Sequence, residues 1–269
     1  MSLDTRKIRL ILRKEWLEMK QQRALVLGMI FLPLLFTILP LGLIFLMGQL
    51  PTGDMNDLDA LFELARNNPA WQGLSEQELV QVVIGQPIST ILFILPVMLP
   101  SIIASYSIVG EKVSRTLEPV LATPVTTLEL LLAKMLSALI PSVGFTWLAG
   151  SVFLIGMVPL SLSHSVFVAI ISPSWFLLML LCAPLLALVA IAATVTASSR
   201  ANDPRSAQQI SAVVILPVVL LIAGQFTGLL SLSPLVSLTV SALLALIAAA
   251  LTWFATRVFQ RESILTKWS

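Results

Sequence analysis

The stretch ALVLGMIFLPLLFTILPLGLIFLM at residues 24–47 carries no charged residue. A hydrocarbon core about 30 Å thick needs about 20 apolar residues as helix. This run is long enough to cross and too long for the core of a secretory signal, and the charges before it extend to Arg23, so no cleavable leader is expected. The whole chain follows the same pattern, with 57% hydrophobic and only 11% charged residues. Soluble domains carry about 25% charged residues. A chain so poor in charge cannot cover a water-facing surface, so lipid must replace water over most of it.

Outward from that first run, five more apolar stretches reach spanning length, at about 87–109, 130–158 (with Lys134 at its edge), 175–197, 210–230 and 235–256. The weak run 166–171 is too short to be a seventh. The expected fold class is an all-α membrane protein with six transmembrane helices, which puts both termini on one side. Fifteen of the 16 basic residues fall on that side: Arg6, Lys7, Arg9, Arg13, Lys14, Lys20, Arg23, Lys112, Arg115, Lys134, Arg200, Arg205, Arg257, Arg261 and Lys267. The other side keeps Arg66 and carries Asp54, Asp57, Asp59, Glu63, Glu76 and Glu78. The excess of Lys and Arg marks the cytoplasmic face, so the N- and C-termini are expected in the cytoplasm.

Three segments lie outside the spans. Residues 1–23 read as an amphipathic helix: Ile8, Ile11, Leu12, Trp16 and Met19 recur at spacings of three and four, while Arg6, Arg9, Arg13 and Lys20 fall on another face. Such a helix lies in the membrane interface, with Trp16 at headgroup depth. Residues 48–86 form the one sizeable hydrophilic insertion, expected outside the cell as two small helices. One covers 57–66, and the other follows the capping box that Ser75 and Glu78 spell. Its carboxylates are not spaced as a calcium loop.

The third segment joins the second and third spans at 110–129 and reads GEKVSRTLEPVLATPVTTLE. Glu111 pairs with Arg115, and Arg115 with Glu118, across one helical turn. Val113, Leu117 and Leu121 make an apolar side, Pro119 disfavours helix at Glu118, and Thr126 caps the next helix with Glu129 at its third position. A short charged-and-apolar element of this kind suits docking to a cytoplasmic partner.

The run Gly110 to Val125, continued by Leu128, Glu129, Leu130 and Lys134, resembles the signature of type-2 ABC exporter permeases, most of all their sodium- and multidrug-efflux branch. The ending from Ala255 to Glu262 is similar to that family's tail, and residues 1–23 resemble its elbow helix. The resemblance implies a multi-pass subunit of the plasma membrane, in a prokaryote the inner membrane. It also implies cytoplasmic ABC ATPase subunits and a second permease half, identical or not, as partners. The helix at 111–121 would be the coupling helix, with Glu111, Lys112, Arg115, Thr116, Leu117, Glu118 and Leu121 meeting the ATPase, and Arg9, Arg13, Trp16 and Lys20 would belong to the elbow. One departure stands out. Family members often carry a re-entrant outer hairpin between spans five and six, whereas here only residues 231–234 separate them.

The residues narrow the chemistry further. No Gly-x-x-x-x-Gly-Lys-Ser/Thr loop occurs, so ATP and Mg belong to a partner and no cofactor is expected in this chain. No ionisable residue lies near a span centre, which argues against a proton-coupled secondary transporter. The single His164, among serines, reads as a solvated loop residue, and the single Cys182 lies in an apolar run. No paired acids, Ser/His set or metal ligands suggest an intramembrane enzyme. Nucleic acid is not expected as a partner. Gln225, in span five, is either a polar contact in a cavity or a helix-to-helix hydrogen bond. Pro33, Pro40, Pro96, Pro100, Pro141, Pro184 and Pro217 either free carbonyls to line a path or serve packing alone. An apolar path suits a hydrophobic or amphipathic substrate, and an ion is the other candidate.

Overall fold

The computed structural model describes residues 4–49, 71–113, 126–198, 203–227, 230 and 233–258. They are helical almost throughout, with no strand among them. In chain order, α1 is Thr5–Gln21 and α2 is Arg23–Gln49. Then α3 (Glu76–Ser89) passes through a 3₁₀ turn (Thr90–Ile94) into α4 (Leu95–Val113). The long α5 is Thr127–Leu160, and α6 is the short His164–Ile170. Next, α7 (Pro173–Leu177) continues through a π turn (Leu178–Cys182) into α8 (Ala183–Ser198). A 3₁₀ turn (Ala212–Ile215) joins α9 (Pro204–Ser211) to α10 (Leu216–Phe226), and α11 is Pro234–Val258. Six stretches are long and apolar enough to cross a membrane: Arg23–Gln49, Glu76–Ser107, Leu128–Leu160, His164–Ser198, Gln208–Phe226 and Pro234–Thr256.

Two boundaries differ from the sequence expectation. The second spanning stretch begins at Glu76, not near residue 87. The capping box forms as read, with Ser75 N donating to Glu78 Oε2 at 2.8 Å and Glu78 N to Ser75 Oγ at 3.4 Å. Gly73, at φ +88, supplies the turn before it. The helix it starts does not stop as a separate outer cap, because Leu79, Val80 and Val82 are buried and carry it into the bundle. The other helix expected in the insertion, at 57–66, lies outside the described residues. The fourth stretch begins at His164 and is broken once, where Ser172 is extended and Pro173 restarts the helix.

Packing assigns the six stretches unequal positions. The second and fourth are the most buried, and the fifth is the least. α8 packs on α4 and α11 most extensively, α5 covers α2 and α4, and α10 rests on α3. Ala183, Ala187, Ala190 and Ala192 on α8 are fully buried, and small side chains let helix backbones approach closely. Phe153 stacks on Trp175 at 6.1 Å between α5 and α7. Outward, Leu27, Phe31 and Ile38 on α2, Ile155 and Val158 on α5, Leu220 on α10 and Leu246 on α11 are exposed. An apolar surface on this scale requires lipid or a protein partner rather than water.

Three of the prolines explain the irregular turns. The 3₁₀ turn at Thr90–Ile94 ends two residues before Pro96, the π turn at Leu178–Cys182 two before Pro184, and the 3₁₀ turn at Ala212–Ile215 two before Pro217. Proline removes one i→i−4 hydrogen bond and its ring presses on the carbonyl one turn back, so the preceding turn tightens or widens. Pro100 and Pro141 instead sit within regular helix. Asp203 caps α9 by accepting from Ser206 N at 2.9 Å and from the Ser206 hydroxyl; these bonds hold its carboxyl below the usual range.

Candidate functional site

The residues around the connection at 108–126 form the best-defined polar cluster. Its far end is capped as the sequence indicates: Glu129 N donates to Thr126 Oγ1 at 3.2 Å, and Thr126 N to Glu129 Oε2 at 2.9 Å. The second oxygen of the Glu129 carboxylate accepts from Asp4 N at 3.0 Å, so this buried group also holds the start of α1. At the near end, Ser107 donates its hydroxyl to Glu15 Oε2 at 2.6 Å. Lys134 Nζ donates to Glu15 Oε1 at 2.8 Å, to Ser107 O at 3.0 Å and to Ser107 Oγ at 3.1 Å. The Lys134 and Glu15 side chains are 1% and 5% exposed. One residue further along α1, Trp16 Nε1 donates to Ser137 O at 3.2 Å.

This cluster places a buried ion pair at one end of the bundle, away from the span centres. Lys134 lies at the edge of span three, as read, but it is buried and paired. Glu15 belongs to none of the candidate sets. Its position was legible, since it falls four residues after Ile11 and four before Met19, on the apolar stripe of α1. Long-range pairing is what turns a carboxylate on such a stripe into half of a buried ion pair. Arg9, Arg13 and Lys20 are exposed as expected, while Trp16 is half-buried against α5.

The proposed docking residues are only partly in view. Glu111 and Lys112 lie in the last turn of α4, whose backbone is helical to Val113. Arg115, Thr116, Leu117, Glu118 and Leu121 lie outside the described residues.

At the opposite end of the bundle, the fully buried Gln81 joins three elements. Its Nε2 donates to Leu160 O at 2.8 Å and to Ile44 O at 3.4 Å, and its Oε1 accepts from Leu162 N at 3.0 Å. Leu160 ends α5, so the side chain satisfies a carbonyl that the helix itself leaves unpaired. His164 is exposed and opens α6, beside a crevice lined by Val158, Ser161, Ser163 and Phe167.

Gln225 makes a hydrogen bond between helices. Its Nε2 donates to Thr90 Oγ1 at 3.1 Å, and Thr90 Oγ1 donates to Gln225 Oε1 at 3.2 Å, geometries that one pair satisfies one at a time. Thr90 borders a small apolar cavity of about 50 Å³ that also touches Cys182, Pro217 and Leu244. Two of the proline-linked turns, through Thr90, Leu178 and Cys182, and the proline that follows the third, Pro217, border it. The coupling between Gln225→Leu and Thr90→Val is expected to be only about 0.6 kcal/mol, the mean for such bonds between membrane helices. Unfolding in mixed micelles with Thr90→Val as the second arm of a double-mutant cycle measures it.

Among the described residues, no group of three or more His, Cys, Asp or Glu is placed to hold a metal ion. Two comparisons with known proteins bear on the chain. The family described as ABC-2 type transporter has a model that matches residues 6–232. No curated protein matches.

Proposed function

The chain belongs to the ABC-2 type transporter family and is a multi-pass permease component served by an ABC ATPase; from that premise we propose that it is one half of an exporter in the sodium- and multidrug-efflux branch. The segment at 110–129, with its Gly-Glu-Lys start and its Leu-Ala-Thr-Pro-Val close, carries this reading. In the proposal, both termini and this segment face the cytoplasm of a prokaryotic cell, and α1 is the elbow. Residues 111–121 are the coupling helix that seats in the ATPase. A second permease half, identical or not, completes the path. ATP drives the change between inward- and outward-open forms only through a difference in its affinity for the two. The transported compound is hydrophobic or amphipathic, in keeping with spans that place no charge at their centres; an ion is the second candidate. The other reading, a subunit that supports assembly without transporting, shares every one of these residues.

Purification in mild detergent tests the class directly. An ATPase with a phosphate-binding loop is expected to co-purify, and a preparation without one sinks the reading. The double substitution Glu111→Ala/Arg115→Ala is expected to release the ATPase, or to uncouple its hydrolysis from transport, with the helices still folded. Full ATPase retention and full transport in that variant refute the docking assignment.

A further inference from the structure

The ion pair at Glu15 and Lys134 does more than tie α1 down. Glu15 reaches Ser107, just before the connection 108–126, and Asp4 reaches Glu129, just after it. Helix α1 thus holds both ends of the segment that the proposed function assigns to ATPase docking. Three ties run in the same order along α1 and α5: Asp4 to Glu129, Glu15 to Lys134, Trp16 to Ser137. A helix packed on α5 by apolar contacts alone can slide; one pinned at three polar points has a single register. A buried ion pair is weak support for stability, because well-packed apolar replacements are often as stable. Its best-attested use is fixing register, and the geometry here fits that use.

We infer that Glu15, Lys134 and Ser107 form a positioning joint, through which α1 passes displacement of the docking segment to α4 and α5 together. The inference rests on the coupling reading above. In its terms, the ATPase cannot shift the end of α4 relative to the start of α5 without moving α1. Loss of the joint leaves the docking segment attached at its own ends but lets α1 slip, so ATP turnover continues while the outer side no longer responds.

The test uses the full permease–ATPase complex in proteoliposomes. A His164→Cys reporter in a Cys182→Ser background places one reactive thiol on the exposed start of α6. A membrane-impermeant maleimide then reads its labelling rate with and without ATP plus vanadate. The joint is removed by Glu15→Leu/Lys134→Met, which nearly keeps the volume and removes both charges of the pair. The expected result is normal ATPase retention and hydrolysis, with the ATP-dependent change in labelling reduced about tenfold, within the usual span of coupling effects. A wild-type response in the double variant overturns the joint. If the double variant fails to accumulate, the exchanged pair Glu15→Lys/Lys134→Glu decides, and its recovery of the response supports the joint. Failure of both to accumulate, or accumulation of the exchanged pair without the response, overturns it, since the pair then serves only the fold or the charges alone do not set the register. An unmodified complex that holds no ATPase, or shows no ATP-dependent labelling, defeats the coupling reading instead.

Discussion

Lys134→Ala with Glu15 left in place is expected to destabilise the helical bundle by about 3–5 kcal/mol, the usual consequence of removing one partner from a buried ion pair. The Glu15 carboxylate then keeps one hydrogen bond, from Ser107 Oγ, and the half-exposed Lys14 ammonium at 3.9 Å, where it had also the buried ammonium of Lys134. Nearly all of the loss comes from that stranded charge, not from the attraction removed. The double variant Glu15→Leu/Lys134→Met is therefore expected to recover most of the stability. A control lies on the same helix. Lys14 and Glu18 pair at 3.3 Å with 40% and 50% of their side chains exposed; breaking that contact by Glu18→Ala, which leaves Lys14 beside Glu15, is expected to cost about 0.5 kcal/mol or less. Denaturation in mixed micelles, followed by far-UV circular dichroism, compares the three. Equal losses for Lys134→Ala and Glu18→Ala contradict the burial of the pair.

The second large effect is expected at Gln81. Replacing it with Leu keeps the volume and removes the bonds to Ile44 O, Leu160 O and Leu162 N. Each buried polar group left without a partner costs about 1–3 kcal/mol. The carbonyl of Ile44 already belongs to its helix, which leaves Leu160 and Leu162 as the exposed liabilities. Both bonds are only part-buried and Leu162 is 46% exposed, so water replaces part of what is lost and a total of about 1–2 kcal/mol follows. The loss is also local: amide exchange is expected to accelerate first around 160–162, where α5 ends and the chain turns toward α6. Gln81→Glu offers a sharper contrast, because it keeps an acceptor for Leu162 N but presents a carboxylate to two carbonyls. It is expected to be at least as damaging. Unchanged exchange at 160–162 in Gln81→Leu contradicts the knot.

Much of this architecture can be read from the chain. Six apolar stretches were countable because a lipid-spanning helix has to be continuous and nearly uncharged, a constraint that acts residue by residue. The caps at Ser75 and Thr126 were legible for a similar reason: a capping box is made within four residues. The stretch from Glu76 was misjudged in extent. Its charged first turn reads as the start of a short outer helix, and only the burial of Leu79, Val80 and Val82 shows that it runs on into the bundle. The partner of Gln225 is Thr90, 135 residues away, which no local pattern indicates.

What the sequence by itself determined is therefore local and compositional: helices long enough to cross, and caps made within a few residues. Only the tertiary structure decided which polar residues matter inside the bundle. Glu15, Ser107 and Lys134 come from three separate elements, and Gln81 meets carbonyls 37 and 79 residues away. Such groups are affordable in an apolar interior only when their partners are in place. Partnership across the chain is a property of packing, so no periodicity in the residues announces it.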